Sequence, residues 1–222
     1  MKRALGAAAA AMFVCAASAA AAQDADYSWT GYRLGLTGGY FFGQVTDVPD
    51  AAPTTTYGAS GFLGGAVARL DYDFGGLVTG IGFEWTYTTV AGSYTGNPNS
   101  GSFHLDRTRT VLFRVGYGMG PNLLYVQGGF NFSRVTTSGG PTGSQDTDTV
   151  TFHSGTRPGY GWHAGAGLEH AFGPRISGTI EYRYVNVGDE WIDLGPTNPG
   201  TAHFVAAAGH TLRVGVSFRF GR

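Results

Sequence analysis

The stretch over residues 211–220 alternates strictly between two kinds of side chain. Every second residue from Leu212 to Phe220 is apolar, and the residues between them are small, polar or charged. A period of two places successive side chains on opposite faces of a β-strand. The pattern therefore predicts a strand with one apolar and one polar face, and any fold of this chain must give the apolar face an apolar environment.

The same alternation recurs seven more times along the chain. The apolar faces of the eight segments lie within residues 32–42, 62–74, 77–87, 111–119, 124–132, 160–172, 176–184 and 212–220. Each segment has about the 9–11 residues that a tilted strand needs to cross a membrane. Short turns rich in glycine or proline are predicted at 75–76, 120–122 and 173–175, and long polar loops at 43–60, 88–106, 134–158 and 188–209.

The composition favours an all-β membrane protein. Charged residues make up 13% of the 222 residues, about half of the usual share in a soluble protein. Aromatic residues make up 14%, and there are 38 glycines. After the N-terminal stretch, no apolar run approaches the roughly 20 residues of a membrane-spanning helix. The formal net charge is −1, which gives no reason to expect nucleic-acid binding.

Residues 1–22 have the pattern of a secretory signal peptide. Lys2 and Arg3 precede an apolar stretch over residues 4–17, and small residues follow up to Ala22. We expect cleavage after this segment, so that residues 23–222 form the mature protein. Cleavage would remove the single cysteine, Cys15, and with it any possibility of a disulfide.

Together these patterns predict an eight-stranded antiparallel up-and-down transmembrane β-barrel in a Gram-negative outer membrane. Three short turns at the periplasmic end and four long loops at the outer end are typical of such barrels. The outward aromatic residues form two belts, as expected at the two membrane interfaces. Because these apolar faces point outward, the pattern disfavours the alternative of a soluble lipocalin-type barrel.

Several motifs resemble those of a known family. Residues 29–32 (WTGY), 38–41 (GGYF), 159–162 (GYGW) and 181–184 (EYRY), followed by the last strand, are similar to those of porin-like outer-membrane β-barrel surface proteins. That family includes OmpA-type transmembrane domains, opacity adhesins and haem-binding surface antigens. The resemblance implies the barrel fold and the outer-membrane location. It also implies a terminal aromatic signal for the barrel assembly machinery, and Phe218 and Phe220 are the candidates, with Gly221 and Arg222 after them.

The inward faces carry most of the charge of the predicted strands. We predict a lumen network of Arg33, Arg69, Asp71, Asp73, Glu84, Arg114, Glu169, Glu181, Arg183, Arg213 and Arg219. An eight-stranded barrel has room inside for side chains and little else, so these charges are expected to pair. Glu84 and Arg114, on consecutive strands, are predicted to form a direct ion pair. A gate or narrow ion path is the alternative interpretation of the network.

Two further arginines are candidates for contacts with lipid. The parity of the fourth segment places Arg107 and Arg109 on the outward face near the outer membrane surface. There they could bind the phosphates of lipopolysaccharide. The alternative is that the strand starts later and both arginines are solvated loop residues.

Signals for catalysis and for metal binding are weak. Ser133 and His163 lie near each other in the predicted strands, but no nucleophile elbow, phosphate-binding loop or dinucleotide fingerprint is present. The histidines His104, His153, His203 and His210 lie in or beside the predicted loops without the spacing of a zinc site.

We therefore predict a non-enzymatic outer-membrane barrel without metal or cofactor. Its predicted role is structural and surface-presenting, and its predicted partners are outer-membrane lipid, lipopolysaccharide and the assembly machinery. A small-solute or ion pore and a haem-capturing surface receptor are the alternatives.

Overall fold

The computed structural model describes residues 27–49, 54–95, 99–141, 159–193 and 202–220, which form one closed antiparallel barrel with the strands in sequence order. The strands are β1 (Gly31–Pro49), β2 (Thr55–Asp73), β3 (Leu77–Thr95), β4 (Asn99–Met119), β5 (Asn122–Pro141), β6 (Gly159–Ala171), β7 (Ile176–Asp193) and β8 (Ala202–Phe220). Among the described residues there is no helix long and apolar enough to span a membrane. The predicted eight-stranded fold is confirmed.

The three predicted short turns all lie at one end of the barrel, which we call the turn side; the opposite end is the far side. The β2–β3 turn closes with a 2.8 Å hydrogen bond from the Phe74 amide to the Leu77 carbonyl, and its Gly75 and Gly76 have positive φ angles of 85° and 109°. Only glycine adopts such angles without strain. β1 and β8 close the barrel, with Tyr32 opposite Phe220.

The strands are longer than the sequence pattern predicts, and the predicted long loops are corrected accordingly. They contain 13 to 21 residues. Pairing continues on the far side to Asp47↔Thr55, Thr95↔Ser100, Asn99↔Pro141 and Asp193↔Ala202. Much of the sequence expected in loops is therefore strand, while residues 50–53, 96–98, 142–158 and 194–201 lie outside the described part.

The added strand length has a physical reason in the sequence. In β1, the outward residues change from aromatic at Phe42 to polar at Gln44 and Thr46, while the inward Phe41 and Val45 are only 3% and 0% exposed. The alternation thus continues with opposite polarity, as in a barrel wall that faces water outside and an apolar core inside. From Phe42 to Pro49 this adds roughly 15–20 Å of height at the usual strand rise and tilt.

Inward glycines make room for the large inward side chains. A Cβ added at Gly80 would lie 2.2 Å from the Asp71 Oδ1 atom, and one added at Gly167 would lie 2.5 Å from the Tyr125 hydroxyl. Both distances are far below a normal contact. The glycine-rich composition therefore lets a narrow barrel be filled with arginine, tyrosine and phenylalanine side chains.

Candidate functional site

The lumen carries two clusters of buried ion pairs, stacked along the barrel axis. The turn-side cluster consists of Arg33, Arg69, Asp71, Arg114 and Glu169. Asp71 accepts from Arg33 at 2.5 Å and from the Arg114 Nε at 2.7 Å. Glu169 accepts from Arg114 at 2.6 Å and from Arg69 at 3.3 Å. Three arginines against two carboxylates give this cluster a net charge of +1.

The far-side cluster consists of Glu84, Glu181, Arg183 and Arg213. The Glu84 carboxylate accepts from Arg183 at 2.9 Å and from Arg213 at 2.5 Å, while Arg183 also pairs with Glu181. The Thr86 hydroxyl adds a 2.6 Å hydrogen bond to Glu84. The cluster is electrically neutral, and every carboxylate in it has a cationic partner, as burial requires.

Tyr125 connects the two clusters. Its hydroxyl donates a 2.8 Å hydrogen bond to Glu181, and the guanidinium of Arg114 lies 5.1 Å from its ring centre. A cavity lined by Arg69, Glu84 and Arg213, among others, holds about 10 Å³, roughly the space of one water molecule. The middle of the lumen is therefore filled by side chains.

Two residues of the predicted network, Asp73 and Arg219, lie at the turn-side rim. They bind residues 27–30, the segment before β1 that we call the N-terminal lead. Asp73 accepts the Trp29 amide at 3.0 Å and caps the β2–β3 turn through the Gly75 and Gly76 amides. Arg219 donates to the Ser28 carbonyl. They differ from the other nine because they stand at the ends of their strands, where the chain enters the barrel.

The lead closes the turn side of the lumen, a feature that the sequence analysis missed. Trp29 is completely buried, its indole donates to the Gly120 carbonyl at 3.1 Å, and Arg33 donates to its carbonyl at 2.8 Å. This turn-side plug is an apolar cluster of Trp29, Val78, Leu123, Tyr125 and Ala171. Two aromatic residues before the first alternating segment, Tyr27 and Trp29, were its signal in the sequence.

The far side of the lumen is closed by a second apolar cluster, which we call the far-side plug. It consists of Phe41, Val45, Ala59, Leu63, Val90, Phe103, Leu105, Val187 and Ala207. Most of these residues were assigned to loops or left unassigned by the sequence analysis. The described lumen is thus filled at three levels: the turn-side plug, the two ion-pair clusters, and the far-side plug.

The predicted ion pair between Glu84 and Arg114 is wrong. In the β3–β4 register, Glu84 lies opposite Thr110, and Arg114 lies opposite Gly80. The two residues are therefore four positions apart along the strands, about 13 Å at the usual rise. Glu84 belongs to the far-side cluster and Arg114 to the turn-side cluster, because the short hairpin fixes a register that sets them at different heights.

Ser133 and His163, the weak catalytic candidates, bond with different partners and not with each other. Ser133 bonds with Thr108 at 3.1 Å, whereas His163 bonds with Asn131 at 3.2 Å. No group of three or more histidine, cysteine or acidic residues is placed to hold a metal ion in the described part of the chain.

The loop assignment of His104 and His203 is corrected, because His104 lies in β4 and the backbone of His203 lies in β8. His210, predicted beside that loop, also lies in β8 and bonds with the Tyr182 hydroxyl at 2.6 Å. The side chain of His203 and the whole of His153 lie outside the described part of the chain.

Arg107 and Arg109 lie within β4 on the outer wall, so the alternative of two loop residues is wrong. Arg109 stands opposite Trp85 on one side and Phe132 on the other, and its guanidinium lies 5.2 Å from the Trp85 ring centre. Phe218 and Phe220, the candidate assembly signal, lie outward on β8 with their ring centres 4.8 Å apart. The roles of these four residues stay predictions.

A family model described as an outer membrane protein β-barrel domain matches residues 7–220 of the chain. The chain belongs to this outer-membrane β-barrel family. Its location in the outer membrane agrees with the names of its relatives. Short turns face the periplasm in such barrels, so the far side faces outward from the cell.

Several relatives carry the names of outer-membrane immunogenic proteins. The chain is 28% identical over 201 residues to the 25 kDa outer-membrane immunogenic protein of Brucella abortus, covering 87% of this chain and 80% of the relative. It is 27% identical over 248 residues to the 31 kDa outer-membrane immunogenic protein of Brucella melitensis, covering 99% and 100%. Among solved structures, the outer membrane protein OprG of Pseudomonas aeruginosa shares the fold with a TM-score of 0.52 at 14% identity, covering 88% of this chain and 98% of OprG.

Proposed function

We propose that this outer-membrane barrel is non-conducting and non-enzymatic. Its role is to reinforce the membrane and to hold extracellular β-hairpins rigidly at the cell surface. The observation that carries the proposal is the filling of the described lumen at three successive levels. The outward apolar wall binds outer-membrane lipid, and lipopolysaccharide and the barrel assembly machinery are the proposed partners.

The ion-pair clusters support a structural role for the lumen. A conducting pore needs charged groups that face a continuous water path. Here the carboxylates Glu84 and Glu169 are 1% and 0% exposed, and both are neutralised by arginines from other strands. Each cluster joins at least three strands, so the network ties the barrel wall together across its interior.

The extended strands support surface presentation. Beyond the outer aromatic belt, β1 and β2 continue as a paired hairpin around an apolar core. Packed strands of this kind hold their outward residues in fixed positions. The curated relatives are named immunogenic outer-membrane proteins, and exposure at the surface of the cell is what such a name implies for this chain.

Conductance of the purified full-length protein in planar phospholipid bilayers tests the proposal. We expect no discrete current steps at either polarity, whereas a sixteen-stranded porin in the same bilayer gives large ones. A Gram-negative strain lacking the protein should also become more sensitive to bile-salt detergents, and the wild-type gene should restore resistance. Regular single-channel steps from the wild-type protein would support the pore interpretation instead.

A further inference from the structure

Three arginines cluster on one strand pair at the outer edge of the barrel wall. Arg107 on β4 lies directly opposite Arg134 on β5, and Arg109 follows two residues along on the same face of β4. Arg134 had been placed in a loop by the sequence pattern. Among the described residues, these three are all of the arginines whose side chains lie outside the barrel on its far half.

This arrangement is electrostatically unfavourable without a counter-charge. Like charges directly opposite each other on one sheet face destabilise the pair. The ion pairs formed by the described residues all lie inside the lumen, and none includes these arginines. The nearest carboxylate along the chain is Asp106, at the β4 bulge, which accepts a 3.2 Å hydrogen bond from the Thr136 hydroxyl.

The surroundings of the cluster fix its depth in the membrane. Arg109 is flanked across the strands by Trp85 and Phe132, and Arg107 is flanked by Tyr87. These three aromatic residues are exposed members of the outer belt, which lies at the level of the lipid headgroups. The guanidinium groups therefore stand where the outer leaflet presents its phosphates.

We propose that Arg107, Arg109 and Arg134 form a binding site for the phosphate groups of the outer-leaflet glycolipid. Opposed Cα atoms on paired strands lie about 4.5–5.5 Å apart, and residues two apart on a strand lie about 7 Å apart. Three long side chains at these spacings converge on one phosphate group, which guanidinium forks bind in a bidentate manner. The site deepens the proposed function, since it attaches the barrel to the surrounding lipopolysaccharide.

The Trp85 ring supports the assignment to a lipid headgroup rather than to a free anion. The Arg109 guanidinium lies over the Trp85 ring, a member of the aromatic belt at the level of the lipid headgroups, where a membrane-anchored phosphate lies. A lipid ligand also gains from the apolar wall directly below, which includes Val111 and Phe113. An inorganic phosphate ion would gain neither.

Binding of bisphosphorylated lipid A to the purified protein in detergent tests the site. The variant with Arg107→Gln, Arg109→Gln and Arg134→Gln keeps the side-chain length but loses the charge. We expect its affinity for bisphosphorylated lipid A to fall at least about tenfold, the scale of one lost charge-assisted hydrogen bond. Arg175→Gln, which removes an exposed arginine at a periplasmic turn, should bind as the wild type does. Retained heat-dependent mobility in SDS gels shows that each variant is folded.

Two further ligands distinguish the sources of the phosphate. Dephosphorylated lipid A should bind the wild type and the triple variant equally weakly. Inorganic phosphate at 10 mM, roughly ten thousand times a micromolar Kd, should not displace lipid A. Displacement by inorganic phosphate would assign the site to a free anion, and equal binding of lipid A by wild type and triple variant would overturn the site altogether.

The outcomes for the site and for the proposed function are separable. Conductance is measured in bilayers without lipopolysaccharide. If the arginines do not bind lipid A, the prediction that the barrel does not conduct is therefore unaffected. Conversely, a conducting barrel that still binds lipid A through these arginines would overturn the structural role and keep the site. If the triple variant does not fold, the single variant Arg134→Gln, which removes the like-charge opposition, gives the same comparison.

Discussion

At the scale of single residues, Glu84 is a buried carboxylate whose charge is balanced by two arginines. It is 1% exposed and lies between Arg183 and Arg213. Glu84→Ala leaves two buried guanidinium groups short of a carboxylate, which should lower the free energy of unfolding by about 3–5 kcal/mol. A double-mutant cycle with Arg213→Ala, measured by urea unfolding in lipid vesicles, should give a coupling energy of at least about 1 kcal/mol.

The matched control is the cycle between Glu84→Ala and Arg114→Ala. Arg114 is equally buried but belongs to the turn-side cluster. We expect additivity within about 0.5 kcal/mol, because the two side chains share no ion-pair partner. A larger coupling to Arg114 than to Arg213 would contradict the register that separates the two clusters.

Single residues also show how far the sequence alone can specify this interior. Strand parity correctly places Arg33, Glu84 and Glu169 inside, because alternating side chains can point only into the lumen or out of the barrel. Pairing is a different problem, since it depends on register and on the shear of the closed barrel. Arg69, for example, reaches Glu169 across the lumen from a distant strand. No local pattern in the sequence encodes such a contact.

At the scale of whole strands, the polarity inversion explains why the loops were predicted too long. Outward apolar residues stop at the aromatic belt, so a membrane-strand pattern also stops there. Above the belt, β4 continues with outward His104 and inward Phe103 and Leu105. A search of each predicted loop for alternation with apolar residues inward and polar residues outward would have extended the predicted strands. The bulges at Tyr87/Val90 and Leu105/Arg107 shift the register there and weaken even that signal.

The last strand, β8, offers a test of assembly. Phe220 and Phe113 are outward residues with nearly equal exposure, 47% and 49%, so replacing either by alanine loses a similar lipid contact. Phe220 additionally stands beside Tyr32 at the seam that closes the barrel. We expect Phe220→Ala to lower the yield of heat-modifiable protein in the outer membrane several-fold more than Phe113→Ala. Equal yields in fractionated membranes would remove the reason for assigning Phe220 to the assembly signal.

At the scale of the whole molecule, the three filled levels of the lumen act in series. An ion that crosses the barrel must pass the turn-side plug, the two ion-pair clusters and the far-side plug. The highest barrier along a series path sets the current. If one level is opened, the levels that remain filled still block the ion. Redundant closure of this kind suits a wall element, whereas a gated channel concentrates its control at one movable constriction.

Because the filled levels lie in series, opening one plug is not expected to make the barrel conduct. Trp29→Ala and Phe103→Ala each remove a fully buried aromatic side chain, one from each plug. Either variant alone, and the two combined, should stay silent in planar bilayers, because the ion-pair clusters still fill the middle. Adding Glu84→Ala together with Arg213→Ala opens the far-side cluster but leaves the turn-side cluster intact, so this fourfold variant should also give no current steps. Steps from either single plug variant that retains its heat-dependent mobility would place the barrier at that plug alone, and the ion-pair clusters would then have no part in closing the barrel.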